Sequence, residues 1–187
     1  MLSTAAMNLK KIVSPLVLML FLFASAFSVI YLQHWAIGND YAVRFSGKYA
    51  DGVFKRLKGD VVFRKDDLSM SRFDVIIDVN SIETGNKLKN KHAKGVHWFD
   101  AVKYPFIHFV SSSIIKTDTG YVASGELDLH GIKKPVNIPF KFEKTGDSAV
   151  FIGSFKLDRG DFGIGKSKGK SWDSTDVEVI VPVKAIP

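Results

Sequence analysis

Glu126, Asp128 and His130 recur at every second position. On a β-strand that spacing puts two carboxylates and an imidazole on one face. Such a set suits acid–base chemistry or a metal site. Polar residues on the outer face of a half-buried strand account for the same pattern. A second set is basic: Lys87, Lys89, Lys91 and Lys94 surround His92. It reads either as a cationic collar for an anionic lipid head or membrane surface, or as a solvated helix face. A third stretch, Gly165-Lys166-Ser167-Lys168-Gly169-Lys170-Ser171, imitates a phosphate loop. The G-x-x-x-x-G-K-S pattern needs a glycine where Ile164 stands, and the stretch precedes a strand instead of a helix.

Other chemistry is absent. His34, His92, His97, His108 and His130 show no zinc spacing such as H-E-x-x-H. There is no G-x-S-x-G serine elbow. With no cysteine, the chain has no disulfide, thiolate metal site, cysteine nucleophile or cysteine-linked lipid anchor. No metal or cofactor is expected, and the acid–base reading of Glu126, Asp128 and His130 stays open at this point.

The elements that carry these residues alternate like strands. Tyr41, Val43 and Phe45 share one parity, and Leu57, Val61 and Phe63 another run. Phe73, Val75, Ile77 and Val79 alternate with polar neighbours most cleanly. Strand character resumes at Phe106, with Ile107 and Phe109 on one face. Ala123, Gly125, Leu127 and Leu129 follow, then a turn at 131–135. Val136, Ile138, Phe140 and Phe142 share a face before a hairpin turn at Thr145-Gly146-Asp147. Phe151, Gly153, Phe155 and Leu157 precede the last strand, Val177 to Val183. About eight hairpin-linked strands in one domain suit an all-β antiparallel barrel or a sandwich. A barrel of that size is wide enough for one slender ligand, and alternation does not distinguish a filled barrel from a hollow one. Small inward residues (Gly59, Ala123, Gly125 and Gly153) would leave space.

One stretch breaks the pattern. Over 81–109 the alternation stops for roughly two dozen residues, which in a strand-rich domain marks function. Leu88, His92 and Val96 have helical spacing there, and Tyr104-Pro105 ends the irregular part. The expectation is a short helical segment closing one end of the barrel, with Lys87, Lys91, His92, Trp98 and Phe99 at the rim.

Composition agrees. The 187 residues suffice for one domain with a sizeable core. Phenylalanine is enriched, 15 copies against 3 Trp and 5 Tyr, which suits a greasy interior. Those aromatics sit on the apolar parity, not interleaved with basic residues on an exposed face, so nucleic acid is not an expected partner. Lys10 and Lys11, an apolar run over 12–23, and Ala24-Ser25-Ala26 read as a signal peptide, 1–26, cleaved after Ala26. The rival is an uncleaved inner-membrane anchor reaching about residue 31, since no charge occurs over 12–39. The barrel domain is expected over 34–186, outside the cytoplasm, periplasmic or secreted. The net charge is +7, and losing the two lysines leaves +7 − 2 = +5.

Several short motifs, in order, resemble the YceI-like family of secreted lipid-binding proteins. They are Ser81-Ile82-Glu83-Thr84, His92, Phe99-Asp100, Tyr104-Pro105, and Ile107 with Phe109. Gly125-Glu126-Leu127, Leu129-His130-Gly131 and Lys134-Pro135-Val136 follow, and the run from Phe155 through Arg159 to Gly165 completes the set. The sequence departs from the family pattern at Lys91, Ala93 and His97-Trp98. The resemblance implies a lipocalin-like barrel with an apolar tunnel that carries or sequesters a long lipid, a polyisoprenoid or quinone tail. It implies a binder, not an enzyme, with no catalytic residue. The tunnel lining would then be Phe45, Phe63, Phe73, Val75, Ile77, Phe109, Leu127, Leu129, Phe140, Phe142 and Phe155. A membrane-surface contact fits the lysines, and the oligomeric state stays open, a dimer included. Two other roles remain at this point: an envelope stress factor using its outer surface, and an accessory protein acting on a quinone-like substrate. Phe73→Asp is expected to cripple folding or ligand binding by burying an unpaired charge, read by urea unfolding. Unchanged stability and binding would show the inside/outside parity to be inverted.

Overall fold

Each long strand needs a partner on both sides, and the last strand meets the first, so no edge is left along the wall. The computed structural model describes residues 32–165 and 174–187. The signal or anchor segment and most of the phosphate-loop-like stretch lie outside these residues. The strands are β1 (His34–Ile37), β2 (Ala42–Gly47), β3 (Asp51–Phe54), β4 (Leu57–Val62), β5 (Arg72–Asp78) and β6 (Ile82–Glu83). After a short helix, α1 (Lys87–Ala93), come β7 (Phe106–Thr117), β8 (Gly120–Leu129), β9 (Ile132–Thr145), β10 (Ser148–Asp158) and β11 (Ser174–Ala185).

Eleven segments make eight staves. β11 pairs with β10 on one side and with both β1 and β2 on the other. β1 and β2 are therefore two halves of one broken strand. β4 pairs with β1 while β3 pairs with β2, and β5 continues β4's other side while β6 continues β3's. Three adjacent staves are thus interrupted side by side, and the order closes through β7, β8, β9 and β10. The chain is an eight-stranded, up-and-down antiparallel barrel.

The breaks cost ladder hydrogen bonds, and two hydroxyls replace them. Tyr41 Oη donates to the Lys55 carbonyl at 2.8 Å and accepts from the Leu57 N–H at 2.9 Å. Ser81 Oγ accepts from the N–H groups of Lys55 and Arg56 and donates to the Asp78 carbonyl at 2.6 Å. The serine of the Ser81-Ile82-Glu83-Thr84 motif therefore holds the break between β3 and β4.

One expectation needs correction. The turn placed at 131–135 is only two residues, His130 and Gly131, with φ of 56° and 74°, so Lys133 to Pro135 belong to β9. β7 runs to Thr117, and a bulge at Ser111–Ser113 shifts its register, moving the inward parity from Phe109 to Ile114. Gly125 lies opposite that bulge, and a Cβ there would strike the Val110 carbonyl and the Ser111 Cα. Gly125 thus admits a neighbouring backbone; it does not open space. Gly59 does the same against Asp74 and Val75.

Asp60 ties three staves together on the outer face, meeting Arg72 at 2.9 Å and His34 at 3.2 Å. The Arg72 guanidinium holds the Asp60 carboxyl below the ordinary range against the pull of partial burial, with His34 adding to it. A depressed folded pKa stabilises above the unfolded value of about 3.9 and is lost as pH falls through the folded value. Asp60→Asn should therefore flatten the acid limb of the stability–pH curve below about pH 4 and cost under about 1 kcal/mol at neutral pH, since the group is half exposed. Urea unfolding across the pH range checks this. Tyr41→Phe should cost about 1 kcal/mol by stranding the Leu57 N–H and the Lys55 carbonyl.

Candidate functional site

Phe73, Val75, Ile77, Phe155, Leu157, Val177 and Val179 all point inward, yet each stays only half-buried. A filled barrel would bury them. They face a cavity of about 430 Å³ on the barrel axis, within the usual range for small-molecule pockets. β5 contributes Phe73, Val75 and Ile77 to its wall, β7 contributes Phe109, and β8 contributes Leu127 and Leu129. Phe45, Phe140 and Phe155 come from β2, β9 and β10. Of the small residues, Ala123 and Gly153 line the space, whereas Gly59 and Gly125 do not.

Phe63 and Phe142 are the exceptions to the expected lining: neither faces the cavity. Phe63 is wholly buried and sits at the hub of an aromatic plug. Its ring meets Tyr121 at 5.1 Å, Phe140 at 5.7 Å and Phe151 at 5.4 Å edge to face, and Phe142 at 4.7 Å tilted. Phe140, Phe151 and Phe73 show their other side to the cavity, so the cavity stops at this layer. Trp35 backs it, its Nε1–H donating to the Phe63 carbonyl at 2.9 Å and its ring edge meeting Phe142. Inward parity identifies these residues correctly but says nothing of their height along the axis.

The opposite end is bounded by α1, the β2–β3 turn and the segment after β10. Asn86 caps α1 by accepting from the N–H groups of Leu88 and Lys89. Asn90 ties the helix to β6: its Oδ1 accepts from Thr84 N–H and Oγ1, and its Nδ2 donates to Glu83. The Asn90 amide, with the Gly85 N–H, holds the Glu83 carboxyl below its ordinary range. Lys89, His92 and Ala93 are the side of α1 that meets the cavity, and Trp98 and Phe99 join them. Phe99 packs edge-on against Phe54 at 5.7 Å.

Of the residues expected at the rim, His92, Trp98 and Phe99 line the cavity, whereas Lys87 and Lys91 lie on the same closing segment without lining it. Helical spacing explains it: positions 89, 92 and 93 share one face, and 87 and 91 lie on the opposite one. Leu88 and Val96, the apolar part of the expected helical stripe, are 61% and 69% exposed.

Two residues at this end escaped notice as site residues. Tyr49, on the β2–β3 turn, meets Trp98 edge-on at 5.8 Å. Arg159 lies 4.8 Å from the Tyr49 ring and 5.3 Å from the Trp98 ring, with its Nη1 donating to the Ile164 carbonyl. Arg159 lies in the run from Phe155 to Gly165 that carries the family resemblance, and Tyr49, in a turn, has no periodic signal. The polar residues that line the cavity gather here, among them Lys48, Thr84, Lys89, His92, Ser174 and Thr175.

Glu126, Asp128 and His130 do not form a site. None lines the cavity. Glu126 pairs with Lys133 at 2.9 Å on the outer surface. His130 is in the β8–β9 turn, where Nδ1 meets the Phe162 carbonyl at 3.0 Å and the ring lies edge-on to Tyr104. Among the described residues no group of three metal-ligating side chains converges.

Comparison with known proteins follows this geometry. The profile of the YceI-like domain matches residues 33–185. A UPF0312 protein of Vibrio campbellii is 28% identical over 165 residues, covering 76% of this chain and 87% of the relative. The crystal structure of BcnA from Burkholderia cenocepacia is 27% identical with a TM-score of 0.70, covering 76% of this chain and 95% of that one. The structure of a polyisoprenoid binding domain from Saccharophagus degradans, implicated in plant cell wall breakdown, has the same fold, with a TM-score of 0.63 at 14% identity. That likeness covers 83% of this chain and all of that one.

Truncating the plug should be severe. Phe63→Ala is expected to cost about 3–5 kcal/mol, measured by urea unfolding, because five neighbouring rings cannot collapse into the gap.

Proposed function

The chain belongs to the YceI-like family, and on that premise and the shape of its cavity we propose that it binds one apolar lipid, an isoprenoid or quinone tail, inside the barrel. The carrying observation is the set of inward apolar side chains left half-buried above a solid aromatic floor. Such walls offer a hydrocarbon tail dispersion contacts and release of ordered water, with no polar partner to satisfy. Each buried methylene contributes about 0.8 kcal/mol. About ten would bring roughly 8 kcal/mol before the cost of immobilisation, so affinity depends on tail length. The polyisoprenoid binding domain of Saccharophagus degradans, with the same fold, supports an isoprenoid ligand.

The tail lies with its end against Phe73, Phe140 and Phe151, and the polar head stays beside Tyr49, Trp98 and Arg159. The role is carriage or sequestration, not catalysis. The one polar constellation that suggested acid–base work faces away from the cavity, which counts against a quinone-modifying enzyme. The place of action is outside the cytoplasm, periplasmic or secreted, after loss of residues 1–26. N-terminal sequencing of the exported protein checks that point: a start at Phe27 is expected, and an intact Met1 would make the segment an anchor.

Native mass spectrometry of the exported protein tests the binding itself. One lipid per chain should appear as a mass increment that organic extraction removes. A chain that neither co-purifies with lipid nor takes one up would overturn the reading. Val179→Phe should abolish uptake while leaving stability within about 1 kcal/mol, since the added ring enters empty space instead of a packed core.

A further inference from the structure

The outer side of the segment that bounds the cavity has an unusual make-up. Over 84–105 there are five lysines and a single acid, Asp100. Lys87 and Lys91 lie one turn apart on the face of α1 turned away from the barrel. On the same segment Leu88, Val96 and Val102 are 61%, 69% and 95% exposed. The coil that carries the two valines is not loose. Phe99 N–H reaches the Ala93 carbonyl and Ala101 N–H the Lys94 carbonyl, both at 3.0 Å, which folds it back onto the end of α1. Ala101 is buried, so Val102 is held outward by a fixed backbone.

Exposed aliphatic side chains among lysines form the pattern of a surface that dips into a lipid headgroup layer. The aliphatic groups enter the acyl boundary while the ammonium groups meet phosphates. Charge selects the occupant: an excess of lysine over a single acid is attracted to an anionic bilayer, gains nothing of the kind from a neutral one and is repelled by a basic one. Position gives it purpose, because the inner face of this segment is the cavity wall through Lys89, His92 and Ala93. We propose that the outer face of 84–105 docks the barrel onto a bilayer containing anionic phospholipid, bringing the polar end of the cavity to the membrane that supplies or receives its lipid. The purpose rests on the carrier reading; the docking does not.

Vesicle flotation of the exported protein tests it, with phosphatidylcholine alone and with about a third phosphatidylglycerol added. Wild type should bind the anionic vesicles more strongly, and the difference should shrink as salt rises. Lys87→Gln combined with Lys91→Gln keeps helix propensity and should weaken anionic binding about 25-fold, roughly fivefold per lysine. Val102→Asp should weaken it with all five lysines kept. Whatever part of 1–31 the exported protein retains is the same in every variant, so its contribution cancels. Equal binding of wild type to both vesicles would overturn the proposal, as would a double-glutamine variant that binds like wild type. Lipid load is read on the same samples by native mass spectrometry and should be equal in wild type and variants. If no sample carries lipid, the carrier reading falls, and the vesicle comparison still decides docking.

Discussion

Phe63 fills the barrel axis at one end with a ring in contact with five others. An eight-stranded barrel is just wide enough for its interior to be filled by side chains or to hold one slender guest. The Phe63 layer takes the first option for one end and leaves the second for the rest. It supplies the packed aromatic core that a hollow barrel otherwise lacks, and it makes the cavity blind. A tail can then be held from one direction only. The polar residues of the lining, Lys48, Thr84, Lys89, His92, Ser174 and Thr175 among them, collect at the other end.

The wall is held on a different principle. Three neighbouring staves break side by side, and the half-buried hydroxyls of Tyr41 and Ser81 complete what the ladder loses there. The motif serine at 81 both completes one break and starts the crossing segment. Loop and barrel are therefore coupled through a few hydrogen bonds. Glu83, Thr84 and Asn90 extend that coupling to the helix. On the far side of the same end, Tyr104 packs against the His130–Gly131 turn, where a Cβ on Gly131 would strike its ring. The closing segment is thus pinned at both ends.

Much of this was legible in the sequence because period-two alternation is a direct statement about faces. Phe73, Val75 and Ile77 point inward as their spacing requires, and so do Leu127 and Leu129. What alternation lacks is height. Phe63 and Phe142 have the same parity as the lining residues and differ only in lying beyond the floor. It also changes phase at a bulge, so Phe109 and Ile114 of β7 both face inward although their positions differ in parity. Hollowness left no trace, since a half-buried Val177 and a buried Val183 are the same letter. In the closing segment the lysines were visible, but their division between inner and outer faces depends on where α1 starts, set by the Asn86 cap. Tyr49 and Arg159 come together only in three dimensions, across more than a hundred residues.

The central claim is that the cavity holds a lipid tail with its end on the aromatic floor. The most direct measurement is a crystal structure of the protein carrying the lipid with which it is isolated. The account predicts continuous density along the axis, ending against Phe73, Phe140 and Phe151, with the head beside Tyr49 and Trp98. Side chains collapsed into the axis, or a lipid bound on the outer wall, would contradict it.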